Sequence, residues 1–433
     1  MKATVQTAAR DADGLLGHSL LLMVFTHLAS AANLLFHVVM GRALPKAEYG
    51  ILASLLGVGL VVATPMMALG IAMAHFAARF AAEGRRDDLR RLVARWVRRL
   101  AVVAAAVVVT AVGFSRPLAD ALRLPGTAPV VVTACGLACT LLIPVFVGSL
   151  QGLQSFVWMS LAQHSWAFTR LATGWALIGL LGGTAMAGLL GHVAGLAVSV
   201  AVGAVALVLL TPREPAAGDV TRGVDAYFLR SLCALTGFGI LMNADVILVK
   251  HFFDPETAGG FARAATIARI VVFFPQPVAA AMFPKVVSAG FTSRAQRRTL
   301  WRAIAVSAVL IGASVLACCL APGLALRLVY GDSAPAAEAL RLVRTVTIVL
   351  SPLGLAFLLM NFEIAQRRFA VVGPLLAGAA AYLAGVSMWH GSVWQIVAVI
   401  GVCSLAATAA LSRIALAGAA IDTRVAVRHD PET

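Results

Sequence analysis

The chain reads as an all-α, polytopic membrane protein, with twelve transmembrane helices in two parallel six-helix bundles. Three observations predict this. Hydrophobic residues make up 61% of the 433 and charged residues 12%, with a mean hydropathy of +0.92, a balance that no soluble domain needs. The apolar residues gather in runs of about 20 or more, each long enough to cross about 30 Å of hydrocarbon as a helix. An offset of 210 residues lays Asn33 on Asn243, Pro45 on Pro255, Gly50 on Gly260 and Pro65 on Pro275, so the chain repeats one plan twice.

In order, the expected spans of the first half are roughly 14–40, 50–78, 100–118, 127–150, 157–181 and 184–210. Those of the second are roughly 228–252, 258–284, 303–325, 336–362, 368–389 and 393–417. Residues 211–225, TPREPAAGDVTRGVD, interrupt the hydrophobicity with two prolines, two glycines and charges, and read as a cytoplasmic linker. The expected organisation is therefore an N-terminal bundle over 1–210, the linker over 211–225, a C-terminal bundle over 226–420 and a polar, unstructured cytoplasmic tail over 421–433. Six spans is an even number, so both halves enter the membrane from the same side and the repeat is parallel. Ala29-Ser30-Ala31 resembles a signal-peptidase site, but the apolar run continues to Met40, so the segment reads as a retained first helix.

The net charge of +15 does not imply nucleic acid, because most Lys and Arg fall on one set of alternate loops. That is the positive-inside bias, with both termini cytoplasmic in a bacterial inner membrane. The run Arg85, Arg86, Arg90, Arg91, Arg95, Arg98 and Arg99 alternates with Leu89, Leu92, Val93 and Trp96, the pattern of an amphipathic helix lying on anionic lipid headgroups. All six cysteines sit in apolar runs away from other ligand types and read as packing residues. No phosphate-binding loop, zinc motif or Ser/His/Asp grouping is present, so neither cofactor nor metal is expected and no catalytic residue is assigned.

Ionisable residues inside a span are costly, at about 2.5–3.5 kcal/mol for a central Arg on insertion scales. Three Arg remain within spans: Arg170, Arg263 and Arg269. A rise of about 1.5 Å per residue puts Arg170 and Arg269 near mid-depth and Arg263 shallower. Guanidinium can hold phosphate oxygens bidentately, so these residues are candidates for binding an anionic headgroup, with structural ion pairing as the alternative. Asp245 is either a coupling site for an ion or proton, or a salt-bridge partner of Arg263 or Arg269. Glu363, beside Arg367 and Arg368, reads as interfacial. His27, Ser30 and His37 share a face of the first span with Asn33 at its edge, and either line a cavity or bond a neighbouring helix. His27 and His37 are further coupling candidates. Pro65, Pro275, Pro277 and Pro284 would bend the second and eighth spans.

The segments GRALPKAEYG (41–50), NADVILVKHFFDPETAGGFARAATIAR (243–269) and FFPQPVAAAMFP (273–284) resemble the polysaccharide flippases of the multidrug/oligosaccharidyl-lipid/polysaccharide exporter superfamily. The similarity runs over essentially the whole chain. It implies two six-helix lobes around a cavity and alternating access. The implied cargo is an undecaprenyl-diphosphate-linked oligosaccharide moved from the cytoplasmic to the outer leaflet, with membrane lipids and glycan-assembly proteins as partners. The cavity role falls by resemblance on Asn33, Asn243, Asp245 and Arg269. The superfamily's peptidoglycan-precursor flippases have fourteen helices and arginines within the first. This chain has twelve expected spans and carries His27 and His37 there, so an O-antigen or exopolysaccharide unit is the expected cargo. A multidrug cation antiporter of the same superfamily is the alternative. A membrane glycan polymerase or ligase is a further one, disfavoured because such enzymes carry a large outer loop that this chain lacks.

The topology makes a direct prediction. A cysteine placed at Gly218 in the linker should resist a membrane-impermeant thiol reagent applied to intact cells, and a C-terminal reporter should be active only in the cytoplasm.

Overall fold

The structure is a computed structural model, and it describes residues 24–211, 224–273, 293–366 and 368–428. The described residues form fourteen helices and no strand. They are α1 (Val24–Ala43), α2 (Lys46–Ala82), α3 (Arg86–Gly113), α4 (Ser115–Ala121), α5 (Ala128–Gly152), α6 (Phe156–Leu181) and α7 (Ala185–Leu210). The second set is α8 (Val224–Phe252), α9 (Pro255–Phe273), α10 (Ser293–Leu320), α11 (Pro322–Tyr330), α12 (Ala337–Ala365), α13 (Val372–Met388) and α14 (Val393–Arg428). Each of the twelve expected spans overlaps one of the twelve longer helices, the first and the eighth only in part because 14–23 and 274–284 lie outside the described residues. The two additions are short: α4 turns away from α3 by 73° at Phe114, and α11 follows α10 after Ala321.

Eight helices are long and apolar enough to cross a membrane on composition alone, or nine if α3 and α4 count as one bent span. Among those that do not qualify are α6 and α9. The first carries Gln163, His164 and Arg170, and the second Glu256, Arg263 and Arg269.

Contacts divide the chain into two compact units, Met1–Pro45 with Met66–Phe228, and Lys46–Pro65 with Leu229–Thr433. These differ from the expected halves at residues 46–65, the first part of α2. The reason is close backbone approach at small residues. A Cβ on Gly50 would come within 2.9 Å of the Gly259 backbone, one on Gly259 would collide with the Lys46 carbonyl, and one on Gly57 would meet the Asn243 carbonyl at 3.3 Å. The Tyr49 hydroxyl also donates to Thr266 Oγ1 at 3.2 Å and accepts from Tyr330 at 3.1 Å. The second part of α2 packs on α5 in the first unit, where a side chain on Gly148 or Gly152 would strike the Gly70 or Ala74 carbonyl. Pro65, at the division, lies inside the continuous helix.

Two further expectations change. The basic stretch 85–99 is not a separate surface helix but the first turns of α3. Leu89, Leu92, Trp96 and Leu100 form one buried stripe packed with Leu69, Met73, Ala77 and Phe80 of α2, so the apolar spacing runs unbroken from the basic segment into the span. At its start Asp88 is buried and ion-paired with both Arg85 and Arg91. The tail is helical as far as Arg428, as an extension of α14. Pro275, Pro277 and Pro284, and the linker over 212–223, lie outside the described residues, whereas Pro144 and Pro352 prove to sit inside α5 and α12.

The turn into α9 is fixed by Asp254, whose Oδ1 accepts from the backbone N–H groups of Glu256 and Thr257 at 3.0 Å each. This is an N-cap, of the kind worth about 1 kcal/mol. Hydrogen bonds from Thr257, side chain first and then backbone, hold the carboxyl below its ordinary value. A depressed carboxyl stabilises the fold above the unfolded-state value and loses that contribution as the pH falls through the folded one. Asp254→Ala should therefore lower unfolding free energy by about 1 kcal/mol at neutral pH. The gap from the unmutated protein should close below about pH 4, read by thermal unfolding in detergent.

Candidate functional site: two buried guanidinium clusters

In the first unit α6 and α7 pack backbone to backbone. The sequence Gly191-His192-Val193-Ala194-Gly195 places small residues four apart, a spacing that lets membrane helices approach closely. A Cβ on Gly191 would lie 2.7 Å from Gly174, and one on Gly195 would press on the Trp166 carbonyl. This closeness carries His192, between the two glycines, to the side chain of Arg170.

Arg170 is only 3% exposed. Its Nη2 donates to Asn33 Oδ1 of α1, and its Nη1 lies 3.4 Å from His192 Nδ1. The guanidinium carbon sits 3.9 Å from the Phe36 ring centre and 4.8 Å from that of Trp166, within the range of cation–π attraction. Trp166 meets the His192 ring edge-on at 6.1 Å, and its backbone N–H donates to Ser199 Oγ at 3.1 Å. Since a guanidinium only donates, any hydrogen bond to His192 Nδ1 requires that nitrogen to be unprotonated.

The polar stripe of α1 thus binds α6, through Asn33 to Arg170 and through Thr26 Oγ1 to His164 Nε2 at 3.3 Å. Of the two coupling candidates there, His37 is half-buried with its ring edge against Phe36 at 5.6 Å, and His27 is exposed.

In the second unit the open choice for Asp245 resolves to Arg269. Asp245 of α8 is fully buried and forms a salt bridge with Nη2 of Arg269 on α9, whose Nε also donates to the Met242 carbonyl at 3.3 Å. Asp245 Oδ2 has no hydrogen-bond partner among the described residues. Arg263 does not join this pair. Its guanidinium lies over the Tyr330 ring at 4.9 Å, and its carbonyl accepts from the Tyr330 hydroxyl at 3.2 Å. Asn243, the repeat partner of Asn33, donates to the Gly239 carbonyl of its own helix at 3.1 Å and so does not reproduce the Asn33 contact. Glu363 is buried near the end of α12, not exposed at an interface.

The sequence reading missed His164, His192, Phe36, Trp166 and Tyr382. Tyr382 of α13 is fully buried within electrostatic range of Asp245 and Arg269. A histidine inside the otherwise apolar α7, flanked by glycines four apart, was the available signal for His192.

No protein-family model and no curated protein sequence matches the chain. Solved structures do. An inward-facing multidrug resistance MATE family transporter of the MOP superfamily aligns at a TM-score of 0.75 and 13% identity, over 92% of this chain and 96% of its own. The fold is that of MOP-superfamily transporters. The lipid II flippase MurJ, in an inward closed conformation, aligns at a TM-score of 0.68 and 10% identity, over 90% of this chain and 86% of its own. A MOP superfamily transporter from Pyrococcus furiosus, whose binding pocket is described as of reverse polarity, aligns at 0.64 and 13%, over 92% and 93%.

Removing one member of a buried ion pair leaves the other charge uncompensated, typically at about 3–5 kcal/mol, whereas removing both is far milder. Arg269→Leu should therefore sharply reduce the yield of folded protein, and Asp245→Leu in the same chain should restore much of it. A double-mutant cycle on melting temperature measures this coupling.

Proposed function

We propose that the chain is a flippase that moves an undecaprenyl-diphosphate-linked oligosaccharide, an O-antigen or exopolysaccharide unit, from the cytoplasmic to the outer leaflet by alternating access. The observation that carries this reading is the charge inside the spans. Each unit holds a largely buried arginine side chain within a helix, Arg170 in α6 and Arg269 in α9, against the single buried carboxylate partner of either, Asp245, among the described residues. A diphosphate leaving water needs charged donors, and guanidinium supplies them without the risk of losing its proton. The aromatic walls at Arg170, Phe36 and Trp166, suit the same task by keeping water from the cation without competing for its N–H donors.

A second reading, a multidrug cation antiporter, draws support from the MATE likeness and from Asp245 Oδ2, a buried carboxylate oxygen with an unused acceptor position. The two readings place the chemistry on opposite charges. In a strain lacking the gene, the flippase reading expects a lipid-linked glycan to accumulate in the inner leaflet. It also expects the Arg170→Ala chain, and the Asp245→Leu, Arg269→Leu chain in which the buried pair is removed together, each compared at equal membrane level, to leave surface glycan at least tenfold below that restored by the unmutated gene. Unchanged glycan together with heightened sensitivity to cationic dyes would overturn it in favour of the antiporter.

A further inference from the structure

We infer that Arg269 is a proton-linked anion site, in which a bound anion and the Asp245 carboxylate compete for one guanidinium and Tyr382 positions the displaced, protonated carboxyl. This rests on the anionic-cargo reading above and deepens it by naming what anion binding must exchange for.

The geometry gives the competition. The Asp245 side chain has no exposure at all, while 11% of the Arg269 side chain is exposed, so of the two partners only Arg269 presents surface to an incoming anion. Arg269 has a single positive charge, and Asp245 already neutralises it. A dianion bound at the exposed edge would leave two like-charged groups on one cation in a low-dielectric core, which is costly unless one takes up a proton. Asp245 is the group that can, because the proton has a place to go. Its Oδ2 lacks a hydrogen-bond partner among the described residues, and so does the Tyr382 hydroxyl. Once protonated, the carboxyl is both donor and acceptor, and a phenol hydroxyl can serve it in either sense, directly or through one water.

The charges around Asp245 are few. From α9 comes Arg269, and from α13 Tyr382, which also feels Cys403 of α14. The stretch of α2 between Tyr49 and His75, and that of α12 between Arg344 and Glu363, contain no titratable side chain. On α8 itself the nearest is Lys250, five residues on. Among the described residues, Asp245 is the carboxylate paired with Arg269 and so the group that exchanges the proton.

The test uses the full chain in lipid nanodiscs, with inorganic pyrophosphate as probe. Binding heats are measured at pH 6, 7 and 8 in two buffers of different ionisation enthalpy. Asp245→Asn supplies the baseline for the probe's own protonation. Relative to that baseline, the unmutated chain should take up about one extra proton per pyrophosphate, and its affinity should fall about tenfold for each pH unit. Tyr382→Phe should weaken binding several-fold and bring proton uptake at pH 8 below that of the unmutated chain, whereas a merely structural tyrosine would weaken binding with proton uptake unchanged. If Asp245→Asn does not fold, the baseline is the number of protons that free pyrophosphate can itself take up at each pH, measured by titrating it alone, and uptake by the unmutated chain beyond that number is assigned to Asp245. Equal proton uptake with and without Asp245 would overturn the linkage while leaving an anion site intact. Absence of pyrophosphate binding to the unmutated chain at all three pH values would overturn both the linkage and the anionic-headgroup reading.

Discussion

Inside a bilayer a polar side chain has only the protein to answer it, and the placement of a few such groups organises the rest of this fold. With no water to solvate them, Arg170 and Arg269 must be met by neighbours on other helices. Arg170 draws α1 to α6 through Asn33 and comes within reach of α7 at His192, while Arg269 ties α9 to α8 through Asp245 and the Met242 carbonyl. These are contacts between specific residues, unlike the apolar packing around them, which is satisfied by many nearly equivalent side chains. The charged groups therefore fix which face of each helix meets which neighbour.

Such contacts are short-range and need backbones brought close, which is the task of the glycines. Gly191 and Gly195 let α7 approach α6 closely enough for His192 to reach the Arg170 guanidinium, and Gly148 and Gly152 do the same for α5 against α2. Between lipid-like surfaces there is little hydrophobic gain from helix association, so close van der Waals packing has to supply it. The same logic explains why the first part of α2 packs with α8 and α9. Gly50, Gly57 and Gly259 form a seam where no side chain stands between the helices.

Much of this was legible in the sequence, because it depends on composition and period. The twelve long helices follow from apolar runs, and the mid-span positions of Arg170, Asp245 and Arg269 follow from counting residues along them. The pairing of Asp245 with Arg269 rather than Arg263 did not follow, since both arginines lie on α9, six residues apart, and only the direction of α9 against α8 separates them. The partners of Arg170 on other helices were likewise hidden, because Phe36 and His192 come from α1 and α7, whereas Trp166, four residues before Arg170 on α6, was legible from helical spacing. The basic stretch before the third span was misjudged for a different reason. Its charges suggested a surface helix, but the buried stripe Leu89, Leu92, Trp96 and Leu100 continues straight into the span, and hydrophobic continuity decided the structure.

The repeat offers a sharper view of what the two units have kept and what they have changed. Asn33 and Asn243 occupy equivalent positions, yet Asn33 accepts from an arginine on α6 while Asn243 bonds its own helix and the nearby acid Asp245 takes the arginine of α9. One unit thus holds its guanidinium with an amide and aromatic rings, the other with a carboxylate. An amide and a ring face do not change charge, so in the Arg170 cluster the one partner that can titrate is His192, which also meets the guanidinium as a base. A carboxylate does change charge, so in the Arg269 cluster the group that neutralises the cation is itself the one that can take up a proton or yield to a competing anion. The duplication supplied two similar scaffolds, and the substitution of an acid for an amide as the arginine's partner is what made them electrostatically unlike.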